Sequence, residues 1–209
     1  MTGQTRERIL DTAERLFAEN GFSASSMRSI TQHAKVNLAA INYHFGSKQV
    51  LIQEVFVRFL DPVTEALLKG FDALERECQN AVPTVERVLK AFVDPALSIN
   101  QRIPDGASLF MQLMGRSFTE PQLGHLRKFL SSRYDRVING YKTLLARVLP
   151  QLSAQTLFWR LHYTLGAASF TLAGLEGLQK IAAREYGDVF SFETQFERLI
   201  RYVAGGLKA

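Results

Sequence analysis

VNLAAINYHFGSKQVL, residues 36–51, packs two helix starts and one helix stop into a single short stretch. Asn37 suits the N-cap of a helix that ends at Phe45-Gly46, and Ser47 suits the cap of the next. On a wheel of about 100° per residue, Ile41 and Phe45 share one face with Leu38 beside them. Ala39 and Tyr43 lie opposite, flanked by Ala40 and Asn42. A helix that only fills a core has no need of an outward side this flat. Small side chains allow close approach to the floor of a DNA major groove, and a methyl can touch a thymine methyl. Asn42 can bond a base edge or a phosphate, and Tyr43 offers a hydroxyl to the phosphate backbone. Lys48 adds positive charge at a helix N-terminus, where phosphate is already favoured.

The residues before this stretch supply two more helices. Ile9, Leu10, Ala13, Leu16 and Phe17 follow a 3.6-residue period that Asn20-Gly21 terminates. Ser25 or Ser26 can cap a second helix running to about His33. Only Lys35-Val36-Asn37 separates it from the third, which is the spacing of a helix-turn-helix.

Downstream, the punctuation marks longer helices. The fourth carries Val50, Leu51, Val55, Phe56, Phe59 and Leu60, with a kink or break expected at Pro62. Pro83-Thr84 opens a helix to about Ile99, and Asp105-Gly106 opens one through Gly115. Thr119-Glu120-Pro121-Gln122 reads as a capping box for a helix reaching about Val148. Ser153 caps a helix to about Lys180, and Ser191 caps the last, through Val203. No alternating runs bounded by tight turns suggest strands, so the expected fold class is all-α.

Ile9 to Phe17, Asn20-Gly21-Phe22, Ser26 to Ile30 and His44-Phe45-Gly46-Ser47-Lys48 together resemble the DNA-binding domain of the TetR family of bacterial transcriptional repressors. The resemblance covers residues 6–52. It implies a three-helix helix-turn-helix domain over 1–48 and a larger helical effector-binding and dimerisation domain over 49–209. The family's DNA contacts, carried over by position, fall on Arg28, Leu38, Ala39, Ala40, Asn42, Tyr43, His44 and Lys48. Leu38 and His44 are equally open to structural roles. Two positions depart from the family pattern. The turn reads Ala34-Lys35-Val36 where the family has glycine in the middle, and Asn42 replaces a usual tyrosine.

In such a protein the larger part senses the effector. Phe110, Met111, Met114, Phe129 and Tyr134 are candidate ligand contacts, as are Trp159, His162, Tyr163 and Phe170 on the helix after Ser153. That helix carries a second apolar stripe, Leu161, Leu165, Ala168 and Leu172, so one stripe can face a cavity and the other a partner helix. Arg116 can meet a carboxylate or phosphate head group, or serve in an interhelical ion pair. Asn37 to Lys48, Leu109 to Pro121 and Leu161 to Gly174 are similar to the PsrA-like branch of the family. That similarity implies a response to a long-chain fatty acid or acyl-CoA. The implied molecule is a homodimer that binds a near-palindromic double-stranded DNA operator and is released by a hydrophobic effector.

Composition agrees without deciding. The net charge of +5 is a mild excess, well short of a basic tail. A single cysteine, Cys78, excludes an internal disulfide framework. The four histidines stand in separate segments without metal-ligand spacing, and no GxSxG elbow or glycine-rich phosphate loop occurs. No catalytic residue, metal or cofactor is expected. Without a signal-peptide run or membrane-length apolar segment, the expected location is the cytoplasm, with no membrane partner. Two other classes stay open: an acyl-substrate enzyme, and a helical adaptor that no longer binds DNA.

Overall fold

The computed structural model describes residues 2–77, 81–103, 105–189 and 191–209; Cys78 lies outside them. Among these residues there are helices and no strand. α1 (Thr2–Asn20), α2 (Met27–Ala34) and α3 (Leu38–Phe45) form a compact N-terminal unit, and the remaining helices form a larger bundle. The first three helices start and stop where their caps direct. Gly21 ends α1 at φ 86, Ser26 caps α2, and Asn37 caps α3.

α4 (Lys48–Glu77) is the spine of the molecule, packing on α1 at one end and on the bundle at the other. The break expected at Pro62 does not occur, and the helix continues through it. Proline removes one helical hydrogen bond and crowds the preceding turn. Against that, Leu51, Ile52, Val55, Phe56 and Phe59 before it and Val63, Leu67, Phe71 and Leu74 after it are all buried. At ~1.5–3 kcal/mol per buried side chain, the packing outweighs one missing bond.

α5 (Val85–Leu97) is followed by a 3-10 turn at Ser98–Gln101, then α6 (Gly106–Thr119), which runs past the expected stop at Gly115. The capping box expected at Thr119 is not formed. The Thr119 hydroxyl turns back to the Gly115 and Arg116 carbonyls, and residues Pro121–Leu123 make a 3-10 turn instead. The single helix expected next is divided at Tyr134 into α7 (Gly124–Arg133) and α8 (Asp135–Val148). Tyr134 is held there by its hydroxyl, which donates to Asp61 of α4 at 2.8 Å. The helix after Ser153 likewise divides at Gly174 into α9 (Ala154–Ala173) and α10 (Leu175–Tyr186), and α11 (Phe192–Lys208) closes the chain.

The core is continuous. Phe17 of α1 meets Phe22 with ring centroids 5.1 Å apart, and Phe22 meets Phe56 of α4 at 6.2 Å. Phe110 of α6 then packs on Phe56 and on Phe59, at 6.2 and 5.5 Å. This aromatic chain joins the N-terminal unit to the bundle through α4. α9 lies along α6, and α11 packs on α5 and α9.

Candidate nucleic-acid interface

The geometry of α2 and α3 follows from their caps. The Ser26 side chain accepts from the Ser29 amide at 3.0 Å, and the Asn37 side chain accepts from the Ala40 amide at 2.7 Å. Between them Lys35 adopts φ 53, ψ 47, a left-handed conformation that glycine takes freely and lysine does not. α2 anchors through Ile30 and Ala34, and α3 through Ile41 and Phe45, all buried.

With those side chains turned inward, the opposite face is free. Tyr43 is 80% exposed and Leu38 49%, and Arg28, Ala39 and Asn42 are exposed beside them. Ala40, His44 and Lys48 are half-buried. Leu38 therefore sits on the open side of α3 and not in the core. The Tyr43 and His44 rings meet edge-on at 5.2 Å, and His44 also lies 6.1 Å from the Phe45 ring, at the junction of the open and packed sides. Ser47 caps α4 by accepting from the Val50 amide at 3.2 Å, which leaves Lys48 in the first turn. Its ammonium donates to the Ser23 carbonyl at 3.4 Å. Partial burial lowers the Lys48 pKa, and the nearby Glu120 charge opposes that.

The residues read as ligand contacts divide into three groups. Phe110, Met111, Met114 and Phe129 are partly buried and packed against the core. Arg116 and Tyr134 are committed to internal partners. Arg116 donates to the carbonyls of Ala18 and Glu19 at 2.8 and 2.9 Å, and burial together with its bond to Asp61 raises the Tyr134 pKa well above normal. Trp159, His162, Tyr163 and Phe170 all point outward from α9, with Trp159 51%, Tyr163 67% and Phe170 75% exposed. The inward stripe is the other one, and Leu161, Ala168 and Leu172 pack on the core. Two sequence periods were both apolar, so the sequence did not order them.

A cleft of about 390 Å³ opens between α1, α4 and the turn after α5, lined by Arg6, Glu7, Glu54, Arg58, Asp61 and Arg102 among others. Most of its lining residues are charged, and it holds none of the residues read as ligand contacts. Among the described residues no group of His, Cys, Asp and Glu is arranged to hold a metal ion, and no helix is long and apolar enough to cross a membrane.

Sequence reasoning missed Ser23, Glu120 and Gln122. The Glu120 carboxylate accepts from the amides of Phe22 and Ser23 at 2.9 and 3.1 Å, and Gln122 bonds Ser23 as well. The available signal, Thr119-Glu-Pro-Gln, pointed to a local cap, whereas the side chains reach across to the turn after α1.

A family model described as "Bacterial regulatory proteins, tetR family" matches residues 9–55, and one described as "Tetracyclin repressor-like, C-terminal domain" matches residues 90–206. The HTH-type transcriptional regulator UidR of Escherichia coli K12 is 27% identical over 124 residues, which cover 59% of this chain and 57% of that protein. The match thus spans little more than half the length of that relative. The HTH-type transcriptional regulator AcrR of Shigella flexneri is 42% identical over 53 residues, covering 25% of each chain. Among solved structures, HlyIIR, a hemolysin II transcriptional regulator, aligns over 100% of this chain and 99% of its own, with TM-score 0.58 and 19% identity. Salmonella enterica GusR aligns over 99% and 96%, with TM-score 0.53 and 23% identity. At these identities the structures speak for the fold alone.

Proposed function

Since the chain belongs to the TetR family of DNA-binding transcriptional regulators, we propose that it is a homodimeric repressor of a near-palindromic operator, released by a hydrophobic effector. The observation that carries this reading is the open face of α3, where Ala39, Asn42 and Tyr43 stand exposed while Ile41 and Phe45 are buried. A face so divided reads DNA with its outer side and is steadied by its inner one. Residues 1–48 act as the DNA-binding unit. Asn42, Leu38, Ala39 and Ala40 meet base edges; Arg28, Tyr43, His44 and Lys48 meet the phosphate backbone.

The dimer forms through α9 and α11. Phe158, Trp159, Tyr163 and Phe170 are large aromatic side chains exposed on one side of α9, and Tyr202 is 74% exposed on α11. A set of exposed aromatic side chains of this kind marks an interface. Two copies paired along these helices make a four-helix two-fold contact and set the recognition helices about 34–36 Å apart, one turn of DNA.

The effector is a long-chain fatty acid or its acyl-CoA ester. The support is the flexible apolar set Phe110, Met111, Met114 and Phe129, partly buried around α6 and α7, together with the resemblance to the PsrA-like branch.

The test begins with selection of duplexes from a randomised pool by the full chain. Fluorescence anisotropy on the enriched duplex follows, with and without oleate and oleoyl-CoA. Selective binding abolished by one lipid is expected. Selective binding indifferent to both lipids discards the effector assignment alone, and failure to enrich any sequence discards the repressor.

A further inference from the structure

One contact between the bundle and the DNA-binding unit is polar and lies at the turn between α1 and α2. α1 ends with carbonyls that no helical amide reaches. Two of them, on Ala18 and Glu19, accept from Nε and Nη2 of Arg116 at 2.8 and 2.9 Å. The cation sits at the negative end of the α1 dipole. On the other side of the turn, Glu120 accepts from the amides of Phe22 and Ser23 at 2.9 and 3.1 Å and from the Ser23 hydroxyl at 2.9 Å. Successive amides turned to one carboxylate form an anion-binding concavity, and here the anion is a side chain of the protein itself.

Both charges lie directly over Gly21. A Cβ there would come within 2.9 Å of Glu120 Oε1 and 3.1 Å of Arg116 Nη1, and the residue's φ of 86 excludes most side chains independently. The turn is thus shaped to receive the end of α6. Ser23 extends the connection, because its carbonyl accepts from Lys48 at 3.4 Å while its hydroxyl is held by Glu120. One residue ties α6 to the lysine at the start of α4.

We propose that Arg116 and Glu120 are positioning residues for operator recognition. From the end of α6 they fix the turn that carries the chain from α1 into α2, without touching DNA. The reason is mechanical. α2 and α3 are short helices of eight residues each. An Arg fork on two carbonyls and a carboxylate on three donors of the turn restrict it in two opposed directions with charge-assisted bonds. This rests on the DNA-binding reading above.

The test uses the full chain, its selected duplex and a scrambled duplex, titrated over a series of salt concentrations. Arg116→Gln and Glu120→Gln are expected to lower the ratio of selected to scrambled affinity by about tenfold or more while leaving the salt slope unchanged, because no phosphate contact is lost. Lys48→Ala is the contrast and should lower the slope by about 1 on both duplexes. The double variant Arg116→Gln/Glu120→Gln should lose little beyond the larger single loss, since both act on one turn.

Urea melts give the folded fraction of each variant. A purely structural role changes that fraction and leaves the selectivity of the folded protein intact. An unchanged selectivity ratio in Glu120→Gln, which keeps the side-chain size, overturns the proposal, even where Arg116→Gln fails to fold. A salt slope that falls as it does for Lys48→Ala overturns it too, because the residue then meets phosphate directly. If the unaltered chain selects no duplex, the DNA-binding reading fails and takes this one with it. If it selects one and only the clamp variants are silent, this inference alone fails.

Discussion

Nη1 of Arg58 on α4 lies 3.2 Å from Oε2 of Glu14 on α1, yet that carboxyl is held toward its protonated form. Glu14 is only 4% exposed, and burial pushes its pKa from 4.5 up to about 7 against the attraction of Arg58. The guanidinium is shared. It also meets Asp11 at 2.6 Å and Glu7 at 3.5 Å, and those acids repel Glu14. Burial alone would lower the Arg58 pKa, but three neighbouring acids raise it. The pair is therefore unequal: Arg58 gains from the cluster and Glu14 does not.

Stability should follow from that inequality. The folded pKa of Glu14 exceeds its unfolded value, so the native state holds the extra proton between pH 4.5 and about 7. The contribution is fully present below the lower value and is lost as pH rises through the upper one. Glu14→Gln should stabilise the chain above pH 7 by about 1–3 kcal/mol and have little effect near pH 4.5. Urea melts at pH 5, 6 and 7.5 check this. A gap between variant and parent that does not widen with pH refutes it.

Lys35 carries a second testable strain. Its left-handed backbone at φ 53 disfavours any side chain with a Cβ, so Lys35→Gly should raise stability by ~1 kcal/mol. The lysine is exposed beside the recognition helix, where its ammonium can meet phosphate. The same variant should bind all duplexes more weakly, with the salt slope reduced by about 1. Higher stability with unchanged DNA binding would remove Lys35 from the interface.

The N-terminal unit was legible because its signals are local. Ser26, Asn37 and Ser47 are caps whose bonds span only three residues, and Ile41 and Phe45 repeat at four. The bundle was legible as helices but not in its breaks. Pro62 fails to stop α4 because burial on both sides holds it, and Tyr134 divides α7 from α8 because its hydroxyl finds Asp61, which is distant in sequence. Likewise, nothing within Thr119 to Gln122 discloses a partner at Ser23. Long-range polar partners leave no period in a sequence. α9 shows the complementary case: two apolar stripes look alike until the position of α6 decides which is inside.

Readout and phosphate contact should separate on the open face of α3. Tyr43→Phe removes only a hydroxyl from an exposed ring and should weaken binding to selected and scrambled duplexes alike, by about threefold to tenfold. Asn42→Ala should instead relax preference at one base position, at a discrimination cost of about 1–3 kcal/mol. Repeating the pool selection with each variant checks both. An unchanged consensus from Asn42→Ala would reassign that residue to the backbone.

Gly166 offers a substitution whose effects on fold and assembly have opposite signs. It lies on the outward stripe of α9 with Trp159, Tyr163 and Phe170, and a Cβ built on it meets nothing within 4 Å. In the single chain, Gly166→Leu places its Cβ in open space and removes a poor helix former from a helix interior, for a gain of up to ~1 kcal/mol. In a dimer paired along α9, the missing side chain is what permits two helix backbones to approach, and leucine holds them apart. The variant should melt no lower as a monomer yet dissociate at concentrations where the parent remains paired, as read by sedimentation velocity. Operator affinity should fall with it, because a lone recognition helix engages one half-site and loses the second. Leu172→Ala is the control on the inward stripe: Leu172 is buried, so its truncation should cost about 2–5 kcal/mol of stability with the monomer–dimer balance of the folded protein retained. Should Gly166→Leu stay dimeric and bind as the parent does, the α9 face is not the interface, and its exposed aromatic side chains serve some other partner.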